Sequence, residues 1–430
     1  MVPVKRFLAA AAVCVMLGGC ALAGPENRET PGSPASEPVS APEPVSRQVT
    51  LVAAGDNLIH DVIWMQASRR AGGNGYDFAP AYEAIAPIVA KADFAFVNQE
   101  TVLAGAELPL SNYPRFCSPP EVGETMLDLG FNLIATANNH CFDQGEAGVR
   151  LSQEFWDSHP EAAVAGSYAD AAHRDRIAVT ENEDGVRVAL IAATELTNGL
   201  SLPEDSEGGV LRLGDKEAIL EKLAAAREQA DIVVLSLHWG AEGASVPTEA
   251  QKQLAAELAE GGADVILGHH SHVLQGGEWI ETSRGRSYVA YSLGNFISAQ
   301  VGAENMLAGL LQLEITVPAE GAPVLESVEF IPTVTHYGSG FSGLCILPLE
   351  GYTEAQALSH GVRQHDSRFS LSYLQAQLTA LVYGDNVFEK DGIRRDRTGD
   401  GEKTRCLCGK RGIFNRDGPA MGPQIIRQLE

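Results

Sequence analysis

The chain has 430 residues, a length that fits one large α/β domain with tails and exceeds that of a small single domain. Hydrophobic residues make up 45% and charged residues 20%, as is typical of soluble globular proteins. The formal net charge of −25 argues against a nucleic-acid partner and against electrostatic adhesion to anionic lipid, because both need a basic face. A polyanionic ligand would be repelled by such a protein and would need a local cationic site.

The first twenty residues are typical of a lipoprotein signal. Two basic residues precede an apolar run over residues 7–17, which is too short to span a bilayer. Two glycines and then Cys20 follow that run directly. We therefore predict a signal peptide over residues 1–19, lipidation of Cys20, and an extracytoplasmic protein anchored to the cell membrane. The alternative is an ordinary secretory signal that is cut near Ala23.

The two ends of the mature chain have compositions that do not favour a packed core. Residues 20–47 are rich in proline, and we predict an extended tether that holds the folded part away from the membrane. Residues 390–430 carry ten basic and six acidic residues without apolar periodicity, which predicts a disordered basic tail. Contact of this tail with an anionic polymer or with lipid headgroups is the alternative. For residues 336–389 we predict a C-terminal extension without a defined packing.

Strands and helices alternate between the two ends, which predicts an α/β architecture with helices outside the sheets. The apolar runs predict strands over residues 49–54, 94–97, 132–137, 186–192, 232–237, 265–267, 288–291, 307–317 and 324–330, with a short one near 162. Helical periodicity predicts helices over residues 120–129, 147–158 and 248–260. Thr248 is the predicted N-cap of the last helix.

Five of the predicted strands end in polar side chains that suit a metal ion. Ligands in α/β proteins bind at the carboxyl ends of strands, so these side chains are expected to converge. The residues are Asp56 and His60, Glu100, Asn138 to Asp143 with Asn139 and His140 among them, His238 and Glu242, and His270 and His272. A single aspartate of this kind is commonly a turn or helix cap, and a single histidine is commonly a core residue. Together they are the ligand set of a hydrolytic centre that binds zinc, manganese or iron, with two ions about 3.5–4 Å apart.

Six motifs occur in a fixed order, and together they are specific. They are G-D at 55–56, N-Q-E at 98–100, A-N-N-H-x-x-D-x-G at 137–145, H-W-G-x-E at 238–242, G-x-H-x-H-V-L-Q at 268–275 and S-L-G-N-F at 292–296. This order resembles the CapA capsule-synthesis family, a branch of the calcineurin-like metallophosphoesterase superfamily. The resemblance covers residues 48–335 and implies a four-layer α-β-β-α sandwich.

The resemblance also implies roles for individual residues. It implies metal ligation by Asp56, Glu100, Asn139, His238, His270 and His272, catalytic or supporting roles for His140 and Asp143, and substrate or loop contacts by Glu242 and Asn295. Two positions depart from the superfamily pattern. Leu58 stands where the D-x-H motif has its histidine, and His60 is the alternative ligand there. Glu100 stands where an aspartate is usual, so one occupied ion is the alternative to two.

The resulting hypothesis is a cell-surface, metal-dependent hydrolase or transferase of capsule or poly-γ-glutamate synthesis. Its expected partners are an anionic polymer or another cell-envelope substrate, the membrane through the lipid anchor, and a capsule-synthesis membrane complex. Two alternatives stay open. One is a non-catalytic assembly component that keeps the fold, and the other is an extracytoplasmic phosphoesterase unrelated to capsule.

Overall fold

The computed structural model describes residues 46–383. The predicted signal peptide 1–19, the lipidation residue Cys20, nearly all of the tether and the tail 390–430 lie outside the described residues. Within residues 46–383, none of the helices combines the length and the apolar character that crossing a bilayer requires.

The described part contains fifteen strands and ten α-helices. The strands are β1 Arg47–Asn57, β2 Phe94–Gln99, β3 Leu133–Ala135, β4 Ala163–Ala165, β5 Ser167–Tyr168, β6 Ala178–Glu181, β7 Arg187–Thr194, β8 Gly209–Val210, β9 Ile232–His238, β10 Val265–His269, β11 Leu274–Thr282, β12 Gly285–Leu293, β13 Leu307–Val317, β14 Val324–His336 and β15 Cys345–Pro348. The helices are α1 Asp61–Arg70, α2 Ala79–Tyr82, α3 Ala86–Val89, α4 Glu121–Leu129, α5 Gly145–Asp157, α6 Ala171–Asp175, α7 Lys216–Arg227, α8 Glu249–Glu260, α9 Glu354–Ser359 and α10 Leu371–Tyr383.

The strands form two large mixed sheets and one short two-stranded sheet. The first sheet has the order β15-β14-β13-β1-β2-β3-β4, and the second has the order β11-β12-β10-β9-β7-β6. Strands β1, β2, β3 and β4 run parallel to one another in the first sheet, and strands β7, β9, β10 and β12 do so in the second. The carboxyl ends of each parallel set therefore lie at one edge of its sheet.

Alternation along the strands divides the apolar residues among three cores. Leu51 and Phe96 of the first sheet belong to the same buried cluster as Val234 of the second, so the two sheets pack face to face. The outer face of the first sheet is covered by α1 to α5, and the outer face of the second by α7 and α8. This is the four-layer α-β-β-α sandwich that the family resemblance implies.

The sequence at the end of β1 places Asp56 on the inner face. Leu51 and Ala53 point to the inter-sheet core, so simple alternation would send Asp56 outward. The pairing of β1 with β2 shifts by one residue between Ala53 and Asp56, and this bulge sets Asp56 opposite Asn98. A β-carbon on Gly55 would lie 1.9 Å from the Gly294 carbonyl oxygen, so the bulge needs glycine.

The chain beyond residue 335 continues the first sheet and its outer core. Strand β15 pairs antiparallel with β14 and extends the sheet by one strand. Ile346, Val362 and Phe369 are fully buried in the same cluster as α1 to α5. The sequence-based domain boundaries stay predictions, but the described part of this extension is packed on the sandwich.

Candidate metal centre

Asp56 is the most heavily contacted carboxylate of the site. Its Oδ1 accepts a hydrogen bond from Asn98 Nδ2 at 2.8 Å and lies 3.1 Å from His269 Nδ1. Its Oδ2 lies 3.1 Å from His272 Nδ1 and accepts from the His270 backbone N–H at 3.4 Å. Asp56 is fully buried, so these groups rather than water surround the carboxylate.

A second group of donor atoms comes together from three further strand ends. His238 Nε2 lies 2.9 Å from Asn139 Oδ1 and 3.1 Å from His270 Nδ1. Asn139 follows β3, His238 ends β9, and His270 follows β10. One amide oxygen and two imidazole nitrogens therefore meet at one point, although the residues are far apart in the sequence.

Glu100 lies between these two groups. Its Oε1 is 3.7 Å from His238 Nε2 and 3.7 Å from His272 Nε2. Both carboxylate oxygens are buried, and neither has a hydrogen-bond partner among the described residues. A buried carboxylate without donors costs several kcal/mol unless something neutralises it, so the position calls for a cation or a proton.

The donor chemistry fits a divalent transition-metal ion. The ligand atoms of Asp56, Glu100 and His272 lie within 4.8 Å of one another, and so do those of Glu242, His270 and His272. Carboxylate oxygen, amide oxygen and imidazole nitrogen suit manganese, iron and zinc. The residues present would therefore hold such an ion, and Glu100 would be one of its ligands together with Asp56 and His272.

Burial and mutual charge set the protonation of these groups in the protein. Burial would raise the pKa of Asp56, but the imidazoles of His269 and His272 hold it well below its usual range. Burial and the charge of Asp56 raise the pKa of Glu100 well above its usual range. Burial lowers the pKa of His272, but the carboxylates of Glu100 and Asp56 raise it to about 9. Burial, followed by the charge of His270, lowers the pKa of His238.

The histidine loop after β10 is held in an unusual backbone conformation. His270 has φ of 89° and His272 has φ of 57°, a region that residues other than glycine adopt rarely. The side chain of His272 nevertheless has a fixed partner, because its Nδ1 lies 3.0 Å from Asn295 Oδ1. Backbone strain of this kind is concentrated at functional sites.

His140 and Asp143 form a pair beside these groups. The Asp143 Oδ2 lies 2.7 Å from His140 Nδ1 and accepts the Phe116 backbone N–H at 2.7 Å. The Phe116 ring packs edge-on against His140 with ring centroids 4.8 Å apart. These contacts fix the orientation of the imidazole, and Nε2 has no hydrogen-bond partner within residues 46–383. Asn198 Nδ2 approaches the same Nδ1 at 3.4 Å.

His60 lies outside the convergent donor groups. Its Nδ1 accepts the backbone N–H of Ala299 at 3.2 Å, and its ring packs against Phe116. Burial lowers the pKa of His60 to about 4, so the ring is neutral at neutral pH. Leu58 is buried at the position of the missing histidine. The structure thus brings together eight of the predicted metal, loop and substrate residues but leaves His60 at the margin.

Three contact residues were absent from the sequence prediction. Asn98 and His269 both touch Asp56, and Glu195 accepts the backbone N–H of Gly240 at 2.8 Å just after His238. The alternation of inward and outward side chains along β10 could have identified His269, because Val265 and Leu267 of the same strand face inward. Glu195 follows β7, a further parallel strand whose end faces the same edge.

The comparisons with known proteins agree on one family. The model of the family described as bacterial capsule synthesis protein PGA_cap matches residues 50–300. The PGA biosynthesis protein CapA of Bacillus subtilis is 33% identical over 194 residues, which cover 45% of this chain and 49% of that protein. The capsule biosynthesis protein CapA of Bacillus anthracis is 29% identical over 201 residues, which cover 45% of this chain and 47% of that protein. The chain thus spans about half the length of these curated relatives.

Solved structures show a weaker likeness. The structure of a Staphylococcus aureus protein in complex with alpha-ketoglutarate has 13% sequence identity and a TM-score of 0.41, and the match covers 66% of this chain and 54% of that one. The family assignment rests instead on the sequence match, which takes in more than half of the chain and nearly all the residues of the centre. The protein belongs to the bacterial capsule synthesis protein family PGA_cap.

Proposed function

We propose that the protein is a metal-dependent hydrolase or transferase that acts on an anionic capsule polymer, with poly-γ-glutamate as the leading substrate class. The names of the Bacillus relatives, which refer to PGA and capsule biosynthesis, support the substrate class. The signal-like N-terminus supports an extracytoplasmic protein that is lipidated at Cys20. The Cys20→Ser variant is then expected to leave the membrane fraction, whereas retention there would contradict the anchor.

The proposal rests on the two buried carboxylate oxygens of Glu100, which have no hydrogen-bond partner in the described part of the chain. Two imidazole nitrogens at 3.7 Å cannot serve as close partners for this carboxylate without an intervening group. A core that served stability alone would gain from replacing Glu100 by an apolar residue of similar volume. Its presence at the meeting point of five strand ends is therefore best explained by ion binding.

Side chains of the protein would supply the proton donor and the ligand orientation that an acyl or phosphoryl transfer also needs. A bound divalent ion supplies Lewis acidity and lowers the pKa of a water molecule. His140 can hold a proton at Nε2 for the leaving group, because Asp143 and Phe116 fix its ring through Nδ1 and the ring face. Asn295 orients His272 and is itself held by Gln300, whose Oε1 accepts its Nδ2 hydrogen at 2.7 Å.

The test is elemental analysis of the purified full-length protein and of the His270→Ala/His272→Ala variant. We expect one or two equivalents of manganese, iron or zinc in the wild type and less than a tenth of that amount in the variant, on the order of the affinity loss that follows removal of ligands. The matched control is His159→Ala/His365→Ala, which removes two imidazoles that lie outside the centre.

A second measurement separates ion binding from general damage. In the Glu100→Gln variant the buried charge is absent but the side-chain shape is kept. The wild type is expected to gain about 2.7 kcal/mol in unfolding free energy at a metal concentration of 100 Kd, and the variant is expected to gain almost nothing. Equal stabilisation of the two proteins, or no ion in either after reconstitution, would refute the metal centre.

A non-catalytic assembly component is the second candidate, and the buried Leu58 favours it. Leucine at this position removes a ligand that the superfamily pattern supplies, and His60 is turned toward backbone groups instead. This candidate predicts that Asp56→Ala and His238→Ala leave capsule formation intact while deletion of the gene abolishes it. Loss of capsule in both point variants would exclude it.

A further inference from the structure

Two cavities lie near the β4 edge of the sandwich, and Phe142 of the loop that carries His140 and Asp143 lines the smaller one. The smaller, about 270 Å³, is walled mainly by apolar side chains, among them Phe142, Leu200 and Leu202. The larger, about 440 Å³, lies between β4, β7 and α7. Tyr168 and Arg212 line both cavities, so the two spaces adjoin at these residues.

The smaller cavity is connected to the candidate centre through one loop. Phe142 is the second residue after His140, so one end of the cavity begins beside the proposed proton donor. The loop after β7 carries Asn198, whose Nδ2 lies 3.4 Å from His140 Nδ1. The same loop carries Thr197 and Glu195, and these two residues hold Arg212.

The positively charged guanidinium group of Arg212 is hydrogen-bonded to neutral oxygen atoms. One guanidinium nitrogen donates to Thr197 Oγ1 at 2.9 Å, and another donates to the Glu195 carbonyl oxygen at 3.0 Å. No carboxylate of residues 46–383 comes within ion-pair distance of this half-buried side chain. A guanidinium has five donors and stays protonated, so donors and a full positive charge are left for a ligand.

We propose that the groove formed by these two adjoining cavities binds an extended carboxylate-bearing polymer, with Arg212 pairing with one carboxylate of the polymer. The inference rests on the proposed function and names the subsite that would hold the polymer. Apolar walls accept the methylene groups of such a chain, and one guanidinium matches one monoanionic carboxylate in a two-bond geometry. Because the protein carries a net charge of −25, a polyanion needs a local cation of this kind to stay bound.

The test measures binding of a fluorescently labelled oligomer of γ-linked glutamate to the full-length protein by fluorescence anisotropy. Arg212→Gln is expected to weaken binding at least tenfold, about the effect of losing one charge-assisted pair. The matched control is Arg187→Gln, which removes the same charge at the opposite end of β7. It is expected to change the Kd by less than about twofold.

Two further variants separate lost recognition from a disturbed loop. Arg212→Lys keeps the charge but cannot form two parallel hydrogen bonds, so we expect an intermediate Kd. Thr197→Val removes the neighbouring hydrogen bond and keeps the charge, so we expect a smaller loss than in Arg212→Gln. If Thr197→Val weakened binding as much as Arg212→Gln, loop order rather than the carboxylate contact would explain the result, and the proposal would fall.

A change in the chemistry of the oligomer distinguishes recognition of a carboxylate from recognition of other anions. An oligomer whose α-carboxylates are amidated is expected to bind at least tenfold more weakly than the acidic one. Equal binding of the two oligomers, or displacement of the acidic oligomer by inorganic phosphate at similar concentration, would overturn the proposal. Binding needs no turnover, so an inactive or metal-free protein with an Arg212-dependent Kd would refute only the proposed catalysis.

Discussion

At the scale of single residues, the approach of two backbones decides where Asp56 points. Gly55 and Gly294 meet at the end of β1, and the Asp56 backbone N–H donates to the Gly294 carbonyl at 2.9 Å. Asp56 then reaches His269 and His272, which are otherwise placed by a different sheet. A substitution that pushes these two segments apart would move a proposed ligand without touching its side chain.

Gly55→Ala is therefore expected to destabilise the protein by about 2–4 kcal/mol, because the added carbon cannot fit beside the Gly294 oxygen. Urea unfolding monitored by circular dichroism gives this value, and metal content should fall with it. Gly214→Ala is the control, since no atom lies within 4 Å of its added carbon. That variant is expected to be neutral or slightly stabilising, and equal loss in both variants would contradict the close-approach argument.

The sequence predicts the chemical types of the site residues better than it predicts the directions in which their side chains point. The motifs indicated Glu100 and His238, and the structure places both in the convergent groups. The inward turn of Asp56 depends on a bulge, which a strand pattern does not reveal. The position of His60 depends on the backbone N–H of Ala299, more than two hundred residues away, and no local signal specifies it.

At the scale of elements, one buried histidine fastens the C-terminal extension to the sandwich. His360 Nε2 donates to the Thr335 carbonyl at 2.9 Å, while its Nδ1 accepts the Val362 backbone N–H at 3.0 Å. The ring is packed against Tyr337, His336 and Phe369. Both ring nitrogens are thus satisfied only in the neutral form, which links the junction of β14 and α9 to pH.

The free energy of unfolding is expected to fall by about 2 kcal/mol as the pH is lowered from 6.5 to 4 because of this group. Burial lowers the pKa of His360 to about 4, below the ordinary 6.5, so the unfolded chain binds the proton more readily in that range. His360→Gln keeps a donor for Thr335 but does not titrate. A wild type and a variant with the same pH slope in urea unfolding would show that other groups dominate.

The three helices predicted from periodicity are present in the structure within two residues of their predicted bounds, whereas other helices were missed. Thr248 caps α8 as predicted, and its hydroxyl accepts the Gln251 N–H in a capping box. Helix α7 was missed even though Asp215 accepts the Ala218 N–H as an N-cap and the segment is rich in alanine and leucine. The predicted strand 132–137 is only three residues long in the structure, because its last residues leave the sheet to form the Asn139 loop.

At the scale of the whole molecule, the negative net charge repels the proposed polyanionic ligand, whereas the positive side chain of Arg212 attracts it. A charge of −25 repels a polyanion at distances up to the Debye length, which is about 30 Å at 0.01 M salt and about 8 Å at 0.15 M. The contact with Arg212 acts only at short range. Encounter and retention should therefore respond differently to salt.

The association rate constant for the γ-linked glutamate oligomer is expected to rise about threefold or more between 10 and 150 mM NaCl, because screening removes repulsion. The dissociation rate constant is expected to rise as well, because salt weakens the Arg212 contact. Stopped-flow anisotropy measures both constants. An association rate constant that falls with salt would indicate that the other basic residues lining the larger cavity, Arg174, Arg176 and Lys222, also attract the oligomer.

The six ligand candidates are divided equally between the two halves of the sandwich. Asp56, Glu100 and Asn139 lie at or just after the ends of strands of the first sheet, and His238, His270 and His272 lie at or just after the ends of strands of the second. A fragment that ends before β9 would keep these three oxygen donors and lose His238, His270 and His272. Occupancy of the centre would act as a removable cross-link between the sheets, so amide hydrogen exchange in the inner strands should slow when an ion is added, far from the side chains that bind it.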